Sequence, residues 1–441
     1  MIGRYETSEI AAAWLEEAKF QLWLQTELAV LEAKVKQGRL HPDVATQIRQ
    51  DGIVDLDQIA ALEAELEHDL LAFVRSVQSK LDSQVAGEFH RDMTSYDTEE
   101  IPTNVRVRDS INILLEALDK LIVVVRMQAI KYKRTLQIAR THGQHAEPIT
   151  FGFKMLGWLE AFRRDYERLQ VARAAIAVGK IRGAVGVFGE LGPEIEATAC
   201  ASFGLAVPTH ATQILHRDRI AQVMTTLAIV AGNVEHVAQD FRLMAQTEVL
   251  EVREPFGQKQ AGSSRMPHKK NTIVTERLCG MPRLIRGYAL AALEEIQTWG
   301  ERDISQSSVE RVMLPDTFHL VHYMLKKLAW VLEKMEVFPD QMMRNLNLTR
   351  GCIFSGQVKD LLVGWGLESE ATYRLVQKAS FAAMEQGREL KALIAEHELV
   401  APLLKDAEKA SALNACFDPW QGLKHLDALF EQCGISAEES A

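Results

Sequence analysis

Gly262-Ser263-Ser264-Arg265-Met266-Pro267-His268-Lys269-Lys270-Asn271 interrupts two long segments of helical apolar periodicity. Its proline forbids helix continuation, so the stretch reads as a loop between helices. Polar loops of this kind are often mere connections. The order of residue types argues for more. Hydroxyls stand at a flexible turn, and cationic and amide donors follow that could gather around an anion. The flanking periodicity covers 216–250 before the loop and 272–298 after it.

Further out, the same pattern runs through 103–138, 149–178 and 309–336, the last with Pro315 as a kink or early-turn proline. At about 1.5 Å per residue, a helix of about 30 residues spans roughly 45 Å. Such helices cannot bury a face alone. They predict an all-α protein whose central long-helix bundle also packs against other subunits. Ser8–Gly38 reads as one helix, capped by Ser8 and ended by Gly38. Pro42 opens a short helix and Asp55 or Asp57 another. Residues 82–103 are polar and broken, with Pro102 at their end. From about 340 the helices shorten, interrupted at Gly364, Gly366 and Gly387. The expected division is an N-terminal helical domain at 1–110, a central bundle at 111–363 and a small C-terminal helical domain at 364–441.

Composition narrows the function. The 441 residues are 47% hydrophobic and 25% charged, an ordinary soluble globular balance. A net charge of −10 argues against general nucleic-acid binding and leaves room for a local basic pocket. No secretory leader pattern and no apolar run of about 18–20 residues is visible, so no membrane contact is expected. Cys200, Cys279, Cys352, Cys416 and Cys433 are odd in number and widely spaced. Reduced thiols in a cytoplasm fit them better than a zinc or disulfide framework.

The unusual residues sit in the connections between helices. One runs from Arg140 to Pro148 and contains His142 and His145. A metal pair would need a third ligand, and none is evident. Histidine as acid or base fits better, beside the plain alternative of a ring bonded to backbone. Gly179-Lys180 invites a phosphate-loop reading, but the spacing is wrong and no strand precedes it. Arg302, Ser307, Ser308 and Arg311 offer two guanidiniums and two hydroxyls within ten residues. They suit a phosphate or carboxylate, or else mark a helix start capped by Ser307 or Ser308. Histidines, hydroxyls, amides and arginines without a cofactor signature suit proton transfer on an anionic small molecule. Neither a cofactor nor a metal is expected.

The stretch from Gly262 to Asn271 is similar to the GSSxMPxKxN signature of the fumarase/aspartase superfamily, and the match is complete. Arg4-Tyr5, Arg140-Thr141-His142-Gly143 with Ala146-Glu147-Pro148, and Glu301 to Ser305 continuing to Ser307-Ser308 and Glu310-Arg311 resemble one branch of it. That branch, in its shorter bacterial form, cleaves succinylated purine nucleotides. His68-Asp69, Thr94-Ser95 with Asp97, and Thr212-Gln213 fall where it contacts substrate. The resemblance spans essentially the whole chain. It implies a three-domain, all-α, cofactor-free homotetramer with each active site assembled from three subunits. The implied reaction is β-elimination of fumarate from adenylosuccinate, giving AMP, and from the matching carboxamide ribotide earlier in purine synthesis. The resemblance makes Ser263 the base and His142 the acid, with Lys269 and Asn271 on the succinyl carboxylates. It gives His68, Asp69, Thr94, Ser95 and Gln213 to the succinyl part. Arg4, Tyr5, Arg302, Ser307 and Arg311 would take the phosphate and its surroundings.

The chain departs from the usual pattern of that branch in places. Arg91 and Asp92 stand where an aromatic residue and a glycine are expected. Thr98-Glu99-Glu100-Ile101-Pro102 is more acidic than usual. Gln306 replaces a common histidine, and Thr272, Gln357 and Lys19 are also atypical. None removes a catalytic group. The 90–100 segment leaves open a paralogue acting on another N-succinyl compound. A non-catalytic helical scaffold would keep the fold, and intact Ser263, His142 and Lys269 speak against it.

Overall fold

The computed structural model describes residues 1–257, 259–260 and 262–436. In chain order the elements begin with α1 (Ser8–Trp14), α2 (Glu16–Lys36), α3 (Pro42–Asp51), α4 (Leu56–Leu66), α5 (Asp69–Gln78), α6 (Ser83–Ala86) and α7 (Ser95–Lys131). A hairpin of β1 (Leu136–Thr141) and β2 (Gln144–Thr150) leads to α8 (Phe151–Ile176), α9 (Pro193–Ser202) and α10 (Asp218–Met244). Then come β3 (Val252–Arg253), α11 (Ile273–Gly280), α12 (Pro282–Glu294), α13 (Ser305–Lys334) and β4 (Glu336–Val337). Six shorter helices close the chain: α14 (Pro339–Asn347), α15 (Ser355–Gly364), α16 (Ser369–Gln386), α17 (Leu390–Glu396), α18 (Ala407–Ala415) and α19 (Leu426–Gln432). The protein is all-α apart from these short strands. It forms two compact units, each discontinuous in sequence: 1–120 with 163–235 and 278–327, and 121–162 with 236–277 and 328–441.

In the first unit, Phe20 and Trp23 of α2 pack against Phe73 of α5, with ring centroids 5.9 and 5.5 Å apart. Phe89 joins them, and Ile48 and Ile59 close the cluster. The opposite stripe of α2, with Val30 and Ala33, meets Ile101 and Val105 of α7 and Ile195 and Ala199 of α9. Helical spacing on two faces of one helix thus feeds two cores. Pro42 opens α3, and Asp55 caps α4 by accepting the Gln58 N–H at 3.1 Å.

Three expectations change here. Ser8–Gly38 is two helices, because Leu15 is extended and interrupts the ladder. Gly38, at φ +68, still ends the second. The broken region is shorter than its polarity suggested, since α7 begins at Ser95. Pro102 does not end that region; it lies inside α7, where it removes one backbone hydrogen bond. Finally, 272–298 is two helices, divided where Pro282 takes the first position of α12.

The second unit carries the strands. The connection from Arg140 to Pro148 is not a simple link between helices, because Thr141 pairs with Gln144 in an antiparallel hairpin. β3 pairs with β4. The C-terminal helices enclose Val358, Leu362, Leu375, Leu390, Ile394 and Leu413. Gly387, left-handed at φ +67, terminates α16 as its pattern predicts.

Candidate active site

In the second unit the signature stretch is a loop folded back on itself. The Ser263 Oγ accepts the backbone N–H of Met266 at 3.1 Å and that of Arg265 at 3.4 Å. Asn271 donates its Nδ2 to the Gly262 carbonyl at 2.8 Å. A Cβ at residue 262 would stand 2.1 Å from the Lys269 carbonyl oxygen, so the closure requires glycine. Where the loop enters α11, the buried Glu254 accepts the N–H groups of Val274 at 3.1 Å and Thr275 at 2.7 Å. A carboxylate at a helix N-terminus satisfies orphan donors and favours the dipole. The Lys269 and Lys270 side chains are exposed. Two amide donors converging on one hydroxyl oxygen would stabilise negative charge there.

The hairpin presents His142. Its two-residue turn is His142-Gly143, at φ 52 and 74. Both residues are left-handed, as a type I′ hairpin turn demands. Histidine is among the few side chains that enter this region readily. His142 is exposed at the tip. Behind it, the fully buried Glu251 accepts from Arg140 at 3.0 Å, Gln137 at 2.7 Å and Asn345 at 2.8 Å, anchoring β1. Burial, with the Arg140 charge, pulls the His145 pKa down. Among the described residues, no group of three His, Cys, Asp or Glu is placed to hold a metal ion.

The first unit holds the other sequence-predicted site residues. Thr94 and Ser95 open α7, where the Thr94 N–H reaches Asp97 at 3.0 Å and the Asp97 N–H returns to the Thr94 carbonyl at 2.9 Å. Asp69 takes Arg311 at 2.6 Å, and the Arg311 Nε donates to the Ser307 hydroxyl at 3.3 Å. Arg302 donates to Gln213 at 3.0 Å, and Gln213 donates to the Ala184 carbonyl at 2.8 Å. These contacts join Asp69, Ser307 and Arg311 in one group, and Gln213 and Arg302 in another. His68 caps α5 through its Nδ1, with the Leu71 N–H at 3.4 Å. Tyr5 packs edge-on against Tyr323 and Arg4 is exposed. Among the described residues, no hydrogen bond ties His68, Arg4 or Tyr5 to either group. The start of α13 is not capped by Ser307 or Ser308; Asp303 accepts the Ser305 N–H at 2.7 Å instead.

Sequence reasoning missed a web of buried charge beneath these residues. Asp97 receives Lys180, the residue that had invited a phosphate-loop reading, together with the N–H groups of Arg182 and Gly183. Arg217 pairs with Glu100 at 2.7 Å and with Glu310 at 2.8 Å, all three buried. Burial pushes Glu310 up to about 7, and burial with neighbouring Asp69 brings Glu99 to about 7. Glu295 rises to about 8 through burial and the nearby Glu310. The acidic segment from Thr98 to Pro102 was a visible trace of this web. The atypical Arg91-Asp92 pair is spent on the framework: Asp92 binds Lys34 at 3.1 Å and Arg91 binds Glu88 at 2.6 Å.

Comparison with known proteins accounts for the whole length. Residues 3–287 match the family described as Lyase, and residues 351–433 match the adenylosuccinate lyase C-terminus. The chain is 40% identical over 437 residues to the adenylosuccinate lyase of Synechocystis sp., covering 99% of this chain and all of that protein. It is 37% identical over 436 residues to that of Bacillus subtilis, covering 99% of this chain and all of the relative. Its fold matches a fumarate lyase from Mesorhizobium sp. BNC1 at a TM-score of 0.88 and 23% identity, over 98% of this chain and 99% of that one. A 3-carboxy-cis,cis-muconate lactonizing enzyme from Pseudomonas putida matches at 0.87 and 25% identity, over 97% and 96% of the two chains. A complete signature loop, a hairpin presenting histidine and full-length similarity to these relatives agree: the chain belongs to the adenylosuccinate lyase family.

Proposed function

We propose that the chain eliminates fumarate from adenylosuccinate, giving AMP, and from the corresponding succinylated carboxamide ribotide of purine synthesis. The observation that carries the chemistry is the pair of backbone N–H groups on the Ser263 oxygen. The proton to be removed lies beside a carboxylate and is poorly acidic, so a serine that serves as the base has to act as its alkoxide. Amide donors that favour the anion supply one.

The Ser263 alkoxide takes the proton from the succinyl carbon. Charge builds on the adjacent carboxylate, held by Lys269 and Asn271. The carbon–nitrogen bond then breaks, and protonated His142 gives its proton to the departing nitrogen. Fumarate and the nucleotide leave a neutral serine and a neutral histidine. A proton must pass from one to the other before the next turnover. His68, Asp69, Thr94, Ser95 and Gln213 position the succinyl part. Arg4, Tyr5, Arg302, Ser307 and Arg311 take the phosphate and its surroundings. The tie of Asp92 to Lys34 weakens the case for a paralogue with another substrate.

We infer a homotetramer whose sites are shared between copies. Apolar residues left exposed on long helices support it: Val123 and Met127 on α7, Ile229 and Leu243 on α10, and Leu284 and Leu290 on α12. The division at 1–110, 111–363 and 364–441 belongs to the same reading, supported for the last part by the C-terminal family match at 351–433. A cytoplasmic location fits five free cysteines, and no helix of the described residues is long and apolar enough to cross a membrane. The direct test is fumarate release from adenylosuccinate by the purified protein. Ser263→Ala and His142→Ala should each abolish it, and normal turnover in either would refute the assigned roles.

A further inference from the structure

Four positions at which the chain departs from its branch meet in one place in the first unit. Lys19, Glu99 and Glu100 line a cavity of about 180 Å³ together with Tyr96, Arg217 and Arg311. Gln306 reaches the same tyrosine, its Nε2 donating to the Tyr96 hydroxyl at 3.2 Å. Tyr96 is only 5% exposed. The Arg302 guanidinium lies over its ring, 4.1 Å from the centroid, and the Arg217 guanidinium lies 5.7 Å away.

The guanidiniums of Arg217, Arg311 and Arg302 differ in their charge partners. Arg217 is neutralised by Glu100 and Glu310, and Arg311 by Asp69. Arg302 forms no ion pair among the described residues. Its Nη1 donates to the amide oxygen of Gln213, and its Nε is buried without a hydrogen-bond partner. A ring face and one amide therefore hold it. A guanidinium stacked on an aromatic face keeps its in-plane N–H donors directed outward, which suits a planar fork meeting an oxyanion.

We propose that Tyr96 is a positioning residue for the nucleotide phosphate: its ring holds the Arg302 guanidinium, which has no ion-pair partner among the described residues, in place for the anion, and Gln306 and Gln213 fix ring and arginine. The inference rests on the reading of Arg302 as an anion-binding residue. It also gives the departures at 19, 99, 100 and 306 a common physical purpose, since they build the polar surroundings of that ring.

The test compares variants by KM for adenylosuccinate, by the inhibition constant of AMP and by kcat. Tyr96→Phe keeps the ring face but strips the hydroxyl that Gln306 holds, and it should raise KM and the AMP constant by less than Tyr96→Leu does. Tyr96→Leu removes the ring face and should raise KM and the AMP constant about tenfold while kcat changes by less than about twofold. Fluorinated phenylalanines at position 96 nearly keep the ring's size while draining its electron density. KM should climb with each added fluorine, which a purely structural role would not produce. This series decides the matter if Tyr96→Leu does not fold. If KM stays flat across the series while Arg302→Ala raises it, the role of Tyr96 is refuted and the anion-binding reading stands. If Arg302→Ala changes neither KM nor the AMP constant, the reading of Arg302 itself fails.

Discussion

The Lys180 Nζ lies 2.9 Å from Oδ1 of Asp97, and both side chains are fully buried. The same carboxylate accepts from Thr94, Arg182 and Gly183, so one residue ties the start of α7 to the segment that follows α8. Removing one partner of a buried pair strands the other charge. Asp97→Ala should therefore cost about 3–5 kcal/mol of stability, read by denaturant unfolding. Lys180→Met should cost a similar amount. If both variants unfold like the parent, the pair does not hold this end of α7.

Gly262 predicts a different outcome. The loop is exposed, so Gly262→Ala should leave the melting temperature nearly unchanged. A Cβ 2.1 Å from the Lys269 carbonyl would still force the loop open and displace Ser263 from its two amide donors. Misplacement of about 1 Å at a reacting group costs about a hundredfold in rate. Steady-state kinetics beside a thermal melt separates the two effects, and full activity in Gly262→Ala would contradict the loop geometry.

Glu295 gives a pH signature. Both its carboxyl oxygens are buried without a hydrogen-bond partner, and the Glu310 carboxyl lies nearby on the side of Arg217. Its pKa rises from the ordinary 4.5 to about 8 in the folded protein. Between those values the folded state binds more protons than the unfolded, so this group's contribution to stability falls as pH rises across that window. Glu295→Gln should melt higher than the parent at about pH 9, and the gap should close towards about pH 4.5. A gap that widens on acidification would reverse the sign and defeat the argument.

The proposed sharing of sites between copies makes a prediction about mixtures. Ser263→Ala and His142→Ala homomers should each be inactive. If serine and histidine from different copies serve one site, co-refolding the two variants should restore fumarate release. Sedimentation of the mixture should show tetramers. Tetramers that stay inactive would place both residues of each site on one chain.

Much of the fold was legible because helical periodicity is local. The glycine that ends α2 at position 38, the proline of α3 and the glycine closing α16 each act within a few residues, and each is where its pattern implied. Leu15 and Pro102 were misread for the converse reason. Leu15 lies in an apolar pattern that gives no sign of a break. Pro102 is tolerated in a helix whose neighbouring Ile101 and Val105 are buried against α2 and α9.

The stretch from Gly262 to Asn271 by itself pointed to the superfamily and, through that resemblance, to a candidate base and candidate anion-holding residues, because a loop of fixed residue types carries its chemistry in its order. The tertiary structure decided how that order is used. Strand pairing put His142 at a left-handed turn, the carbonyl of Lys269 required glycine at 262, and Tyr96 came to lie beneath Arg302 from more than two hundred positions away. Hydrogen bonds and ring contacts between distant segments leave no periodic trace in a sequence, so only the folded chain could reveal them.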